Sequence, residues 1–387
     1  MHIAQMQQWL DERKVAGLYR QTQVIQPLAQ GKLLASGRVY RNFSGNDYLG
    51  LASDEDLRAL QANALREYGT GSTGSPAVTG YHPAHQRLSQ ELCDWLGVDA
   101  VLLFSSGFAA NQALISGLVA KSDTLLLDKL AHASMIDAAQ QLPNGFKRFV
   151  HNDLSSLQRA FNQHQGPHVV ATEGVFSMDG DSPLLLELLT LCQRQQAPLL
   201  LDDAHGLGVL GHEGAGSMSA QGLENAQLQC LMANFGKALG AQGGFLAADA
   251  VTIDYLRQTS RHYIYSTALS PGYCEAIRFA IKACRAQQWR RDKLADNIGY
   301  FRDIALQAGL TLLPSQSAIQ PLIVGESAQA MAMSQKLQEG GIWLTAIRPP
   351  TVPKGQARLR ITLSSSHSQE DLQCLVQNLC QVQQSRA

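Results

Sequence analysis

Two short stretches carry the residues best suited to chemistry. The first is Leu199-Leu200-Leu201-Asp202-Asp203-Ala204-His205-Gly206. Three leucines read as a short buried strand. A carboxylate and an imidazole three residues apart follow at its carboxyl end, where open α/β sheets bind ligands. The second is Cys230-Leu231-Met232-Ala233-Asn234-Phe235-Gly236-Lys237, one lysine among small residues after an apolar run. A poorly solvated lysine has a lowered pKa and a nucleophilic amine. An amine that condenses with an aldehyde and an aspartate that holds a pyridine nitrogen protonated are what pyridoxal phosphate (PLP) needs to act as an electron sink. His205 could then hydrogen-bond the phenolic oxygen of that cofactor. Taken singly, the same residues fit plainer roles. An aspartate at a strand end is often a turn former, and a lysine between glycines is often a solvated loop residue.

Other candidates extend the pattern. Ser106-Gly107-Phe108 opens a helix after an apolar strand, and the free amides of a helix N-terminus bind phosphate; an ordinary serine cap fits equally. His132 could stack on a pyridine ring or cap a helix. Glu173 and Ser177, in Glu173-Gly174-Val175-Phe176-Ser177-Met178-Asp179-Gly180, could face the cofactor or stabilise their own loop. Arg348, held before Pro349-Pro350-Thr351-Val352-Pro353, could pair bidentately with a substrate carboxylate. Asp202, Asp203, His205 and His212 are metal-ligand types, but their spacing matches no zinc pattern, and no metal is expected.

The elements that must position these groups alternate regularly. Strands at 101–104, 125–127, 169–172, 199–201 and 243–247 alternate with helices, one of them containing His132 and one spanning 184–195. That alternation predicts an α/β fold with a mostly parallel sheet covered on both faces. An amphipathic helix is expected over 3–20, a strand at 39–44 and a helix over 54–68. Beyond 270 the pattern becomes α+β: a long helix over 272–308 with a break near its middle, strands at 319–324, 342–347 and 358–362, and a last helix after Ser368. The expected division is an N-terminal helix and arm (1–45), a large α/β domain (46–270) and a smaller α+β domain (271–387).

Composition excludes several classes. The chain has 387 residues, 31 basic and 32 acidic, for a formal net charge of −1. A nucleic-acid binder would carry a basic excess, so none is expected. No apolar run reaches membrane-spanning length, and residues 1–6 lack a signal-peptide core. Seven cysteines without CxxC spacing read as reduced thiols of a cytoplasmic protein.

The motifs together resemble the α-oxoamine synthases, PLP enzymes of the aspartate-aminotransferase fold (fold type I). The resemblance rests on Asn46-Asp47-Tyr48-Leu49-Gly50-Leu51, Ser106-Gly107-Phe108, Asp128-Lys129-Leu130-Ala131-His132-Ala133-Ser134, the Glu173–Gly180 stretch, Asp202-Asp203-Ala204-His205-Gly206, Phe235-Gly236-Lys237, Tyr265-Ser266-Thr267 and the Ile347–Pro353 turn. It spans the chain from about residue 15 to the end. It implies Lys237 as cofactor attachment and proton carrier, Asp202 on the pyridine nitrogen, His205 on the phenolic oxygen and His132 on the ring. Gly107 and Phe108 would bind the phosphate, joined by Ser266 and Thr267 from the partner of a homodimer. Asn46 and Arg348 would hold the substrate carboxylate, Arg20 would lie near the acyl chain, and Thr351 belongs to the same substrate-binding set. The implied reaction is decarboxylative condensation of L-alanine with a pimeloyl thioester of a carrier protein or coenzyme A. A glycine-using relative is the alternative, and a cofactor-free scaffold on the same fold is the rival from another class. Three positions depart from the pattern: Asn234 for a threonine, Pro76 for an arginine and Ser89 for a glutamate.

Overall fold

The computed structural model describes residues 2–384. Two compact units emerge: residues 49–177 with 181–292, and residues 1–48, 178–180 and 293–387. The arm expected to stand apart is therefore grouped with the C-terminal segment, and residues 271–292 are grouped with the larger unit.

The larger unit is built on a seven-stranded sheet. Its strands are β1 (Ala100–Phe104), β2 (Thr124–Asp128), β3 (Phe146–Phe149), β4 (His168–Glu173), β5 (Leu199–Asp202), β6 (Cys230–Asn234) and β7 (Gly244–Ala248). They are ordered β1-β7-β6-β5-β4-β2-β3, and β7 alone runs antiparallel to its neighbours. The central strands are continuous apolar runs because helices cover both faces. Leu199, Leu200 and Leu201 are all buried, each contributing about 1.5–3 kcal/mol of hydrophobic stabilisation. Two helices carry site residues: α1 (Gly107–Leu118) and α2 (Ala133–Gln140). His132 is the N-cap of α2 rather than a residue within it, because its backbone is extended and its ring accepts from the Ser134 amide.

The smaller unit carries a four-stranded sheet (Ile25–Leu28, Lys32–Ala35, Arg38–Asn42, Ile342–Trp343) and a three-stranded one (Ile319–Gly325, Ala357–Thr362, Ala346–Ile347). The strand expected over 342–347 is thus two, and they belong to different sheets. The N-terminal helix stops at Val15, and none of its residues is buried, so no apolar face organises it. Helices Pro271–Ala286 and Gln288–Gln307 are separated at Gln287, where ψ turns to 64°.

Candidate active site

The sheet brings its polar residues to one edge. β2 ends at Asp128, β4 at Glu173, β5 at Asp202 and β6 at Asn234, all in parallel. Adjacent strand ends lie about 4.8 Å apart, so residues distant in sequence become neighbours by register: Glu173 pairs with Asp202, and Asp202 with Met232.

Asp202 is 4% exposed. Its Oδ1 accepts the Ala204 amide at 3.0 Å, and its Oδ2 accepts Asn111 Nδ2 at 2.7 Å. Asn111 lies on α1 and also donates to Ser134 Oγ at 2.9 Å. Ser134 Oγ lies 2.8 Å from His132 Nδ1, which also accepts the Ser134 amide at 3.3 Å. A backbone amide can only donate, so Nδ1 carries no proton and the ring is the neutral Nε2–H tautomer. The relay therefore runs from Asn111 N–H to Ser134 Oγ, and from Ser134 O–H to His132. Partial desolvation lowers the His132 pKa; Asp202 opposes this, and the Lys237 ammonium adds to it.

Glu173 is buried beside Asp202. Burial raises its pKa well above the usual carboxylate range, the Asp202 charge adds to this, and Lys237 opposes it. Its Oε1 has no hydrogen-bond partner within the protein. Lys237 thus lies within electrostatic reach of both His132 and Glu173. Its loop is held by the Gly236 amide on Asn234 Oδ1 (3.1 Å) and the Gly240 amide on the Lys237 carbonyl (2.9 Å). His205 is buried one turn beyond Asp202.

Asp203 faces elsewhere. It accepts the Ser217 amide at 2.7 Å and the Ser217 hydroxyl at 2.5 Å. Burial pushes its carboxyl up to about 7. A Cβ at Gly174, Gly206 or Gly216 would stand 2.3, 2.1 or 2.2 Å from its oxygens, so only glycine fits around it.

Ser106 caps α1 through the Ala109 amide at 3.1 Å. The backbone thins beside it: a Cβ on Gly244 would lie 2.8 Å from Gly107 Cα, and one on Gly107 would lie 3.2 Å from Asn234 Cβ. Phe108 is exposed and Ser177 half-buried. Ser266 and Thr267, with Pro76 and Ser89, line a separate cavity of about 480 Å³ that also holds Arg257 and His262. In the smaller unit, Asn46 Oδ1 accepts Arg360 Nη1 and Nη2, both at 3.2 Å, and the Tyr48 hydroxyl at 3.3 Å. Arg348 donates to the Gly17 carbonyl, and Arg20 and Thr351 are exposed.

The aminotransferase class I and II family profile matches residues 39–379. The chain belongs to this family. The 8-amino-7-oxononanoate synthase of Vibrio vulnificus (strain YJ016) is 48% identical over 375 residues, 97% of this chain and 96% of that one. A serine palmitoyltransferase from S. paucimobilis, solved with a bound PLP–myriocin aldimine, superposes with a TM-score of 0.92 at 27% identity, covering 98% of this chain and 97% of that one. The solved 8-amino-7-oxononanoate synthase of Francisella tularensis gives a TM-score of 0.78 at 29% identity over 89% of this chain and 98% of its own. The protein is a PLP-dependent enzyme of the acyltransferase type on the type I fold.

The residues of this class I and II chain fit the cofactor. Asp202 accepts one hydrogen bond on each oxygen, which fixes the carboxyl that a pyridine nitrogen would meet. The helix N-terminus at Gly107 offers the first-turn amides that a helix cannot satisfy internally. Glu173 keeps a buried oxygen without a protein partner. Sequence reasoning missed Asn111 and Arg360, and gave no role to Ser134, the last residue of the Asp128–Ser134 motif. No local motif marks Asn111 or Arg360, because their partners lie 91 and 314 residues away.

Proposed function

We propose that the protein joins L-alanine to a pimeloyl thioester, giving 8-amino-7-oxononanoate, CO2 and the free thiol in biotin biosynthesis. The observation that carries this reading is the near full-length likeness to the Vibrio vulnificus synthase, on a chain that keeps Asp202, Lys237 and His132 at one sheet edge. Bound there, PLP supplies an electron sink for the charge that develops at alanine Cα. Lys237 anchors the cofactor, and its Nζ takes and returns the Cα proton. Asp202 would face the pyridine nitrogen, with Asn111 and the Ala204 amide fixing its two oxygens. His205 would donate to the phenolic oxygen. His132 offers an uncharged ring face whose tilt Ser134 fixes.

Ser106, Gly107, Phe108 and Asn234 are assigned to the phosphate, and Glu173 and Ser177 to the cofactor's surroundings. Asn46, Arg348, Arg20 and Thr351 are assigned to the substrates on motif alone. Ser266 and Thr267 are read as reaching the cofactor of a second copy in a homodimer. Mixing Lys237→Ala chains with Thr267→Ala chains tests this: restored activity in the mixed dimer supports shared sites, and none in a verified mixed dimer counts against them. No helix among the described residues is long and apolar enough to cross a membrane, and a cytoplasmic location is the reading adopted.

The deciding experiment crosses alanine, glycine and serine with pimeloyl, acetyl and succinyl thioesters, each on carrier protein and on coenzyme A. Alanine with pimeloyl is expected to give the highest kcat/KM. Its margin over glycine should be roughly tens- to a few-hundredfold, the most that one methyl group supplies. Glycine with a short acyl group ranking first would replace this reading with a glycine-using synthase.

A further inference from the structure

A third histidine lies at the same sheet edge in a setting the reaction does not use. His151 follows β3. Its Nδ1 lies 2.9 Å from Asp128 Oδ1, and its Nε2 lies 2.8 Å from Asp181 Oδ2. Both carboxylates are acceptors, so both ring nitrogens donate and the ring is an imidazolium. The next residue repeats the bridge. The Asn152 amide donates to Asp128 Oδ2 at 3.1 Å, and Asn152 Nδ2 to Asp181 Oδ2 at 2.9 Å. Asn152 adopts φ 51°, a left-handed conformation that asparagine tolerates better than most residues. The backbone is turned there so that two consecutive residues grip the same pair of acids.

Each acid in turn holds a segment of the cofactor site. Asp128 Oδ1 also accepts the Leu130 amide at 2.8 Å, and the Asp128 carbonyl accepts the Ala131 amide at 3.1 Å, which shapes the turn leading to His132. The Asp181 carbonyl accepts the Phe176 amide at 2.9 Å. The His151 ring stands edge-on to Phe176, centroids 4.3 Å apart at 87°. Phe176 lies three residues beyond Glu173, at the end of the adjoining strand.

We propose that His151 is a positioning residue: its imidazolium, bridging Asp128 and Asp181, locks the turn 128–132 against the segment 173–177 and so sets where His132 and Glu173 stand. The inference rests on the site reading above but not on the identity of the substrates. Within the larger unit, the groups facing His151 are Asp128, Asp181, Asn152 and Phe176. Burial disfavours its charge, and the two carboxylates outweigh that, raising its pKa to about 10.

The test uses the holoenzyme and a His151→Gln variant, which keeps one donor and loses the charge. Three measurements are made: hydrogen exchange at 128–132 and 173–177, the Kd for PLP, and kcat against KM. Exchange in both segments is expected to speed up at least tenfold, with kcat down about tenfold, KM for the amino acid within threefold, and PLP held more weakly. Exchange and PLP affinity within twofold of wild type would overturn the proposal. If the variant fails to fold, histidine ¹⁵N NMR on wild type decides. Both His151 nitrogens should remain protonated at pH 8.5, and a neutral ring at pH 7 overturns the bridge. Loss of the alanine–pimeloyl activity in the substrate assay would leave these exchange and NMR outcomes unchanged, so the two readings fail separately.

Discussion

His132 and His151 follow adjacent parallel strands, β2 and β3, and each lies near a buried aspartate, yet they carry opposite charge states. His151 touches its carboxylates directly, both nitrogens donating, and its pKa rises to about 10. His132 is separated from Asp202 by the neutral Asn111–Ser134 relay, and its nitrogen accepts rather than donates. Its pKa falls, because partial desolvation and Lys237 outweigh the distant carboxylate. A carboxylate in contact makes a histidine a fixed cation. The same carboxylate behind neutral hydrogen bonds leaves the ring neutral. The neutral ring stands at the proposed reaction site, and the cation braces the frame behind it.

The largest expected effect removes the cation that faces only one of the two rings. Lys237→Ala should lower turnover by more than ~10³-fold, as befits loss of the proton carrier. It should also raise the His132 pKa while leaving His151 unmoved, which an NMR titration of the histidines checks. A Lys237→Ala chain with normal turnover would remove the site assignment altogether.

Next comes the carboxylate behind the relay. Asp202→Asn should keep the fold and lose about 10²–10³-fold in kcat, since a neutral amide cannot hold the pyridinium charge that lets the ring draw electrons from Cα. Asp203→Asn should cost less than about tenfold, because that acid binds Ser217 rather than the relay. Steady-state kinetics on both variants would expose a wrong choice of carboxylate if the order came out reversed.

Ser134→Ala cuts the relay at its middle. Losing about 1 kcal/mol of hydrogen bonding predicts kcat down roughly fivefold with little change in KM. An unchanged kcat, with His132 still held as the Nε2–H tautomer by ¹⁵N shifts, would show that the Ser134 amide alone fixes the ring.

The smallest effect concerns stability. The folded pKa of His151, about 10, lies above its ordinary 6.5. Its contribution is therefore fully present below pH 6.5 and lost as pH rises through about 10. Wild type should exceed His151→Gln in Tm by about 2–5 °C at pH 6, and the gap should close by pH 10. A gap independent of pH would mean that packing against Phe176, not charge, supplies the brace.

Much of this site was readable from order along the chain. Asp202, His205 and Lys237 follow apolar strands, and the strand–helix alternation places strand ends on one edge without further information. What could not be read depends on distant partners. β3 was missed because Lys147 and Arg148 are exposed on a sheet-edge strand, so no apolar run marks it. With β3 unseen, His151 had no strand end to stand on, and its acids lie 23 and 30 residues away. The strand expected at 342–347 failed differently. Its two halves pair with different sheets, a choice that local alternation does not encode.

The one antiparallel strand of the seven-stranded sheet has a consequence for how the chain is made. β1 is an edge strand whose one neighbour is β7. β7 emerges from the ribosome roughly 140 residues after β1, which is about 7–30 s at ~5–20 residues per second. Throughout that interval the apolar run Val101-Leu102-Leu103-Phe104 has no strand to pair with. An unpaired apolar edge is a template for association between nascent chains. Polysomes translating this message densely therefore hold several such edges side by side, and yield in a cell should depend on chaperone capture during that window more than on the stability of the finished enzyme.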